Sequence, residues 1–393
     1  MTKRICIISF SPIARDARVL RQIKYLGTCY DLAVIGYGDA HPAWSKLSNV
    51  TWLPVIPSGE SPISKLGGLV YPLLGKVIRR AYDTWFWRKP HRRRALDLAL
   101  ANRYDAYHAN DWDALPIAGE AAARHRVPLI FDAHEYAPLE FGDRWLWRFL
   151  YSPAITATIR KYADRVAAST TVAQPIADRY AREFGLDMIA VLNAPEYQPV
   201  PSHELNPDQI RLIHHGGAIR GRRLERMIEV IARCDSRYTL HFMLTPSQPD
   251  YLVYLRAIAE QIAPGRVIFH DPVRPEQIVQ EIAQYDAGFY LLEPDNYNNE
   301  SALPNKLFDF ICAGLAVCVG PSPEMARLVL AHGCGVVAPS FDPADVAPTL
   351  NTLSRADIDA LRAGSAQASK TLNAQVEMGK VVDLYGRLLG EAN

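Results

Sequence analysis

The feature that most constrains this chain is an alternation of short apolar runs with amphipathic stretches that stops once and starts again. Arg4–Phe10 reads as a buried parallel strand, and Asp16–Tyr25 follows with Val19, Leu20, Ile23 and Leu26 at helical spacing. Further strands are read at Leu32–Ile35, Asn49–Val55, Ala106–Ala109, Val127–Asp132 and Val166–Ala168, with helices over 95–103, 114–125, 153–164 and 174–184. Residues 195–208 then carry four prolines in fourteen positions, a linker composition. Beyond them, strands at Arg211–His215, 238–244, 266–269, 286–292, Ala316–Gly320 and 335–337 alternate with helices over 222–233, 250–262, 275–283, Asn305–Ala313 and Pro323–His332. Strand–helix alternation implies an α/β fold with a mainly parallel sheet. The expectation is two doubly wound, Rossmann-like domains, 1–195 and 196–374, with a C-terminal helix over 375–393 rejoining the first. Such sheets bind ligands at the C-terminal ends of their strands, here expected between the two domains.

Composition excludes some functions. Lys+Arg is 43 and Asp+Glu is 42, so the net charge is +1, and a dedicated nucleic-acid binder carries a basic excess instead. The six cysteines (6, 29, 234, 312, 318, 334) form no C-x-x-C pair and read as reduced thiols of a cytosolic protein, not a metal site. No secretory signal or membrane-spanning run is read.

Two segments carry chemistry. In Asn298–Glu324 a polar loop with Pro304 opens a helix at Asn305, and free N–H groups at a helix start favour an anion. Lys306 lies in that first turn, where the dipole disfavours a cation and a bound phosphate explains one. Asp309, three residues on, suits a ribose diol; the alternative is a solvated Lys–Asp pair. In Ile213–Arg223 a strand runs into Gly216 and Gly217, which let backbone approach a ligand, and Arg220, Arg222 and Arg223 follow. Basic groups beside a glycine-rich turn suit a diphosphate; the alternative is a tight turn with solvated arginines.

Taken in order, these segments resemble a GT-B glycosyltransferase of the retaining family-four type. The resemblance rests on His215-Gly-Gly217 with Arg222-Arg-Leu224, Val267–Val273, Pro304-Asn-Lys-Leu-Phe-Asp309 and Gly314. Asp16-Ala-Arg-Val19, His108-Ala-Asn-Asp111, Asp132-Ala-His-Glu135 and Asn193-Ala-Pro195 carry it through the first half. It implies GT-B architecture and transfer of a sugar, with retention, from a nucleotide-diphosphate sugar (a UDP-sugar) to a glycan or lipid-linked glycan. No metal is expected. Arg222 and Lys306 are implied to hold the diphosphate, with Gly216, Gly217, Arg220 and Asn305 around it. Asp309 is implied at the ribose and backbone near Val273 and Arg274 at the base. The family's first sugar-binding glutamate aligns with Ser301, so Asn299, Glu300 and Ser301 share that contact. His134 and Asp111 are implied at the reaction centre, with Arg15, Asp16 and Glu135 toward the acceptor. Ser9–Arg15 replaces the family's Gly-Gly loop.

Alternatives stay open. His134 also reads as a structural histidine. An inverting enzyme needs Asp111, His134 or Glu135 as base. A non-catalytic sugar-nucleotide binder is favoured only by Ser301. Residues 76–94 carry eight Lys/Arg against one acid, Asp83, with Trp85, Phe86 and Trp87 interleaved. Lys76, Arg79, Arg80, Trp85, Trp87, Arg88, Lys89, Arg92, Arg93 and Arg94 therefore read as a peripheral contact with an anionic membrane, on the inner face of the plasma membrane. Trp145-Leu-Trp147 with Arg144 and Arg148 extends that patch; the alternative is a solvated basic helix.

Overall fold

The computed structural model describes residues 2–42, 47–57, 59, 62–200, 206 and 208–390. Part of the 195–208 linker (201–205, 207) and the end of the expected 375–393 helix (391–393) lie outside the described residues. The first half runs β1 (Arg4–Pro12), α1 (Ala17–Leu26), β2 (Asp31–Tyr37), β3 (Val50–Pro54), α2 (Pro62–Gly75), α3 (Arg80–Trp87), α4 (Pro90–Leu100), β4 (Ala106–Asn110), α5 (Leu115–His125), β5 (Leu129–Ala133), α6 (Ser152–Ala163), β6 (Val166–Thr171), α7 (Gln174–Phe184) and β7 (Met188–Ala190). The second runs β8 (Ile210–Gly217), α8 (Glu225–Arg233), β9 (Tyr238–Thr245), α9 (Pro249–Ile262), β10 (Val267–His270), α10 (Ile278–Ile282), β11 (Ala287–Tyr290), α11 (Tyr297–Glu300), α12 (Asn305–Cys312), β12 (Ala316–Val319), α13 (Pro323–Ala331), β13 (Gly335–Val337), α14 (Pro343–Asn351), α15 (Arg355–Ala368) and α16 (Ala374–Leu389). Two compact units result. The first takes the chain up to Leu192, Asn296–Asn298 and the chain from Met378; the second takes Asn193–Asp295 and Asn299–Glu377.

The first unit holds a seven-stranded sheet in the order β3-β2-β1-β4-β5-β6-β7, with every pair parallel. The second holds six parallel strands in the order β10-β9-β8-β11-β12-β13. Both are doubly wound, so strand order reverses between β1 and β4 and between β8 and β11. Connections leave such a switch point in opposite directions, which opens a crevice at the strands' C-terminal ends. Most of the donor-side residues singled out above lie at the end of β8 or after β8 and β11, whereas Asp111 follows β4, His134 and Glu135 follow β5, and Arg15 and Asp16 follow β1.

Burial follows the apolar pattern. Ile5, Ile7, Val19, Ile23, Leu26 and Val34 form the first core together with Met378, Val381, Leu384 and Tyr385 of α16. The second core gathers Leu212, Met227, Ile228, Ile231, Leu240, Phe242 and Phe289. At the end of β1, Ile13 sits in a 3-10 turn against Gly36, where a Cβ would lie 2.2 Å from its Cδ1. An isoleucine pressed onto a glycine thus fills the turn that follows β1. Asp16 caps α1, accepting from the amides of Arg18 (3.1 Å) and Val19 (3.2 Å).

Some boundaries differ from the sequence reading. The helix expected over 95–103 spans Pro90–Leu100, because Pro90 fits the first helical turn. Helix α2 went unread, since Gly67, Gly68, Pro72 and Gly75 break the periodicity, and α3 was read only as the solvated basic helix of the alternative. Strand β7 and helices α14 and α15 were likewise not read. Among the described residues no helix is long and apolar enough to cross a membrane.

Leu384→Ala removes a side chain buried among Val34, Tyr385 and their neighbours, so stability should fall by about 2–5 kcal/mol. Urea unfolding checks this; an unchanged midpoint would mean that α16 contributes nothing to the first core.

Candidate active site residues in the two units

In the second unit β8 stays paired with β9 through Gly216↔Leu244 and Gly217↔Thr245. Gly216 has φ +121, and a Cβ there would stand 3.3 Å from Lys306 Nζ and 3.8 Å from an Arg222 guanidinium nitrogen. Only glycine keeps that space open. Lys306, in the first turn of α12, is 6% exposed, and its ammonium lies 4.1 Å from the Tyr290 ring centroid at the end of β11. One turn on, Asp309 brings a carboxylate oxygen within 3.3 Å of His215 Nε2.

The electrostatics of this group are those of an anion site. Burial pushes Lys306 well below the usual lysine range; Arg222 pushes the same way and Asp309 only partly opposes it. Burial, then Lys306 and Arg222, hold His215 neutral at about 3. Two basic groups converge here against one carboxylate in a poorly solvated place, so an anion that joined them would favour the charged form of Lys306.

The other donor residues spread out. Arg220 is exposed and turned to Asp250 at 2.7 Å, so its guanidinium is committed away from this group. Arg223, at φ +48, pairs with Glu293. Arg274 is exposed beside Glu276, next to half-buried Val273. Asn299 donates to Asp295 at 2.5 Å, Ser301 is buried and Glu300 is exposed. Asn305 opens α12 at the surface.

In the first unit the ends of β4 and β5 bring Asp111 and His134 together. Asp111 holds φ +63, its amide donates to Asp132 O at 2.8 Å, and its carboxylate accepts from the His134 amide at 2.9 Å. His134 Nδ1 stands 3.1 Å from Asp111 Oδ2, and Nε2 stands 3.2 Å from Asp132 Oδ2. Burial opposes protonation of His134, but Asp111 and the hydrogen bond to Asp132 outweigh it and raise the ring to about 9. A ring that already carries both protons at neutral pH has no site for a third. The same holds for Glu135, raised to about 8, so neither is poised as a base at neutral pH in this resting arrangement.

Asp132 is the fully buried anchor. It takes Arg18 Nε (2.6 Å) and a terminal nitrogen (2.5 Å), Gln22 (2.7 Å) and the Thr170 hydroxyl (2.5 Å). Burial alone would raise its carboxyl; the Arg18 charge and hydrogen bonds, with His134, hold it well below the ordinary range. Arg18, Gln22, Thr170 and Tyr290 were not singled out from sequence. The quoted Asp16-Ala-Arg-Val19 stretch held the signal for Arg18. Around this anchor lie carboxyls raised first by burial: Glu135 to about 8 and Glu140 to about 7. Glu135 accepts from Asn298 Nδ2 at 3.3 Å. Arg15 is exposed, whereas Asp16 serves as the α1 cap.

The expected membrane set needs two corrections. Trp85 is 7% exposed and stacks on Trp112 at 5.8 Å with 2° between the rings. Arg92 is 6% exposed, 4.0 Å from the Phe86 ring centroid, and donates to Phe86 O at 3.2 Å. Both face inward, because α3 and α4 turn one side to the domain. Lys76, Arg79, Arg80, Arg93 and Arg94 are exposed, and Trp87, Arg88 and Lys89 are half-buried.

Residues 55–193 match the family described as Glycosyltransferase Family 4. No curated protein matches the chain in sequence. Solved structures match in fold. HepE of Anabaena in complex with UDP and glucose is 14% identical, with TM-score 0.69 over 98% of this chain and 100% of its own. Sucrose-phosphate synthase of Thermosynechococcus elongatus is 10% identical, with TM-score 0.70 over 98% and 99%. The trehalose 6-phosphate synthase of Burkholderia multivorans is 13% identical, with TM-score 0.67 over 98% and 98%.

The raised His134 stabilises the fold below its ordinary pKa of 6.5, and that contribution is lost as the pH rises through about 9. The shift corresponds to about 3 kcal/mol. The stability advantage of the wild type over His134→Gln should therefore shrink between pH 6.5 and 9 in denaturant titrations. An advantage that grows over that window would contradict the assignment.

Proposed function

We propose that the chain, which has the GT-B fold, is a glycosyltransferase that moves a sugar from a UDP-sugar to a lipid-linked glycan with retention of configuration. The observation that carries this reading is the convergence of Lys306 and Arg222 on the space above Gly216. A diphosphate fits two cations and an open backbone approach, and its charge offsets the cost of burying Lys306. As the bond to the anomeric carbon breaks, negative charge grows on the leaving phosphate, and cations fixed in advance stabilise it without reorganising. Asp309 accepts from the ribose hydroxyls, backbone near Val273 and Arg274 meets the base, and the 299–301 segment meets the sugar. UDP is chosen because HepE binds it. The second unit thus supplies both binding and charge stabilisation.

In the retaining reading the leaving phosphate takes the acceptor's proton. The protonated His134 then acts as a fixed positive group and a positioning element beside Asp111. Inversion has an observation of its own: burial raises Asp111, which sits at a left-handed backbone position against His134. The anomeric signal of the product by proton NMR separates the two.

For the acceptor side, support comes from the outer surface of α2. Leu66, Leu69, Val70, Leu73 and Leu74 are exposed there, Val77 and Ile78 follow, and Lys76, Arg79 and Arg80 border them. An apolar strip edged by cations suits the anionic leaflet at the inner face of the plasma membrane, each cation adding about 1 kcal/mol. The contact therefore consists of α2 and its flank, not of Trp85 or Arg92.

UDP should raise the thermal midpoint, with about 2.7 kcal/mol of stabilisation at 100 times Kd. Lys306→Gln and Arg222→Gln should each abolish the shift. Because diphosphate restores the depressed Lys306 charge, calorimetry in several buffers should show proton uptake that grows as the pH is raised and is absent in Lys306→Gln. No shift with any nucleoside diphosphate would overturn the donor site.

Vesicles rich in anionic lipid should float the wild type at moderate salt. Val77→Glu with Leu73→Glu, both at exposed positions, should remain in the soluble fraction. Unchanged flotation would remove α2 from the membrane contact.

A further inference from the structure

His215 lies on β8 one residue before Gly216 and is 5% exposed. Its part in the second unit differs from those of Lys306 and Arg222, because its ring carries no charge. Burial, then the two neighbouring cations, keep it neutral, so one ring nitrogen bears a hydrogen and the other accepts. Phe310, fully buried next to Asp309 on α12, meets the ring edge-on, with centroids 5.5 Å apart and 87° between the planes. Helix α12 thus presents an apolar edge and a carboxylate to the same imidazole.

One contact is left incomplete. Among the described residues His215 Nε2 makes no hydrogen bond, although Asp309 Oδ2 stands 3.3 Å away. The distance is within hydrogen-bond reach and the alignment is not, so a small turn of the carboxylate completes the bond. A neutral imidazole that faces a carboxylate carries its hydrogen on the facing nitrogen. A buried N–H left unpaired is costly, and a protein keeps one where a ligand brings its partner into line.

We propose that His215 is a positioning residue for ribose recognition: its Nε2–H takes one oxygen of Asp309 and aims the other at a ribose hydroxyl. The proposal rests on the donor-site reading and adds the group that makes the ribose, and not the phosphates alone, a requirement. The two bonds support each other. A hydroxyl that donates to one carboxylate oxygen turns the group, and the turn brings the second oxygen into line with Nε2. A ligand without that hydroxyl leaves the imidazole N–H unpaired. The penalty therefore falls on the wrong ligand, as in any site built to read a hydroxyl.

The probes are UDP, 2′-deoxy-UDP, 3′-deoxy-UDP and inorganic diphosphate, titrated by calorimetry into the full chain. The wild type should bind UDP at least about tenfold more tightly than the weaker of the two deoxy analogues. His215→Phe keeps a ring against Phe310 and lacks the N–H. It should bind UDP about tenfold more weakly, and bind diphosphate and the weaker deoxy analogue as the wild type does. Unchanged diphosphate binding reports that the variant is folded. His215→Gln, whose amide can donate to Asp309, should recover part of the discrimination. A role in packing alone predicts that His215→Phe weakens all four probes alike or leaves all four unchanged, and either result would overturn the proposal. Equal binding of UDP and both deoxy analogues by the wild type would overturn it without any variant. Lys306→Gln should lose UDP and diphosphate together. A wild type that binds neither would instead sink the donor site, whereas binding that needs Lys306 and ignores His215 would sink this inference alone.

Discussion

One carboxylate holds the working end of the first unit together. Asp132 is fully buried, and it binds two donors from Arg18, one from Gln22, the Thr170 hydroxyl and the His134 ring. Arg18 passes the constraint on, donating to the carbonyl of Val191 at 2.7 Å. Helix α1 and strands β5 and β6 thus share one anchor, which also reaches the chain just past β7. Burying such a pair has no guaranteed net benefit, but removing one partner strands a charge and costs about 3–5 kcal/mol. The arrangement therefore fixes geometry more than it adds stability. Its consequence for chemistry is the protonation of His134, which depends on Asp111 in front and Asp132 behind.

The second unit solves the opposite problem. There the charges are left unbalanced. Lys306 and Arg222 both stand close to Gly216, and Asp309 only partly offsets them at Lys306. A protein tolerates such a cost where a ligand removes it. The group lies at the C-terminal ends of β8 and β11, where the doubly wound topology puts it.

Much of this was legible in the residues. Buried parallel strands announce themselves as apolar runs, so β1, β4, β8 and β12 were read within a few residues. Gly216 and Lys306 were found because glycine at a strand end and lysine in a first helical turn both contradict local preference. What a linear reading cannot supply is direction. Trp85 and Arg92 have the composition of a membrane segment, yet α3 and α4 turn them inward. Arg220 looked like Arg222 until α9 offered it Asp250. Asp16 satisfies two amides of α1. The state of His134 depends on carboxylates at 111 and 132, a relation set by the register of β4 on β5. Helix α2 stayed hidden because its glycines and Pro72 interrupt the period on which the reading relies.

The account turns on Lys306, Arg222 and Gly216 forming a diphosphate site, and a crystal structure with UDP tests that most directly. The account places the β-phosphate above Gly216, with oxygens about 2.7–2.9 Å from Lys306 Nζ and from the Arg222 guanidinium. UDP bound elsewhere, with Lys306 still packed against Tyr290 and no phosphate contact, would contradict it.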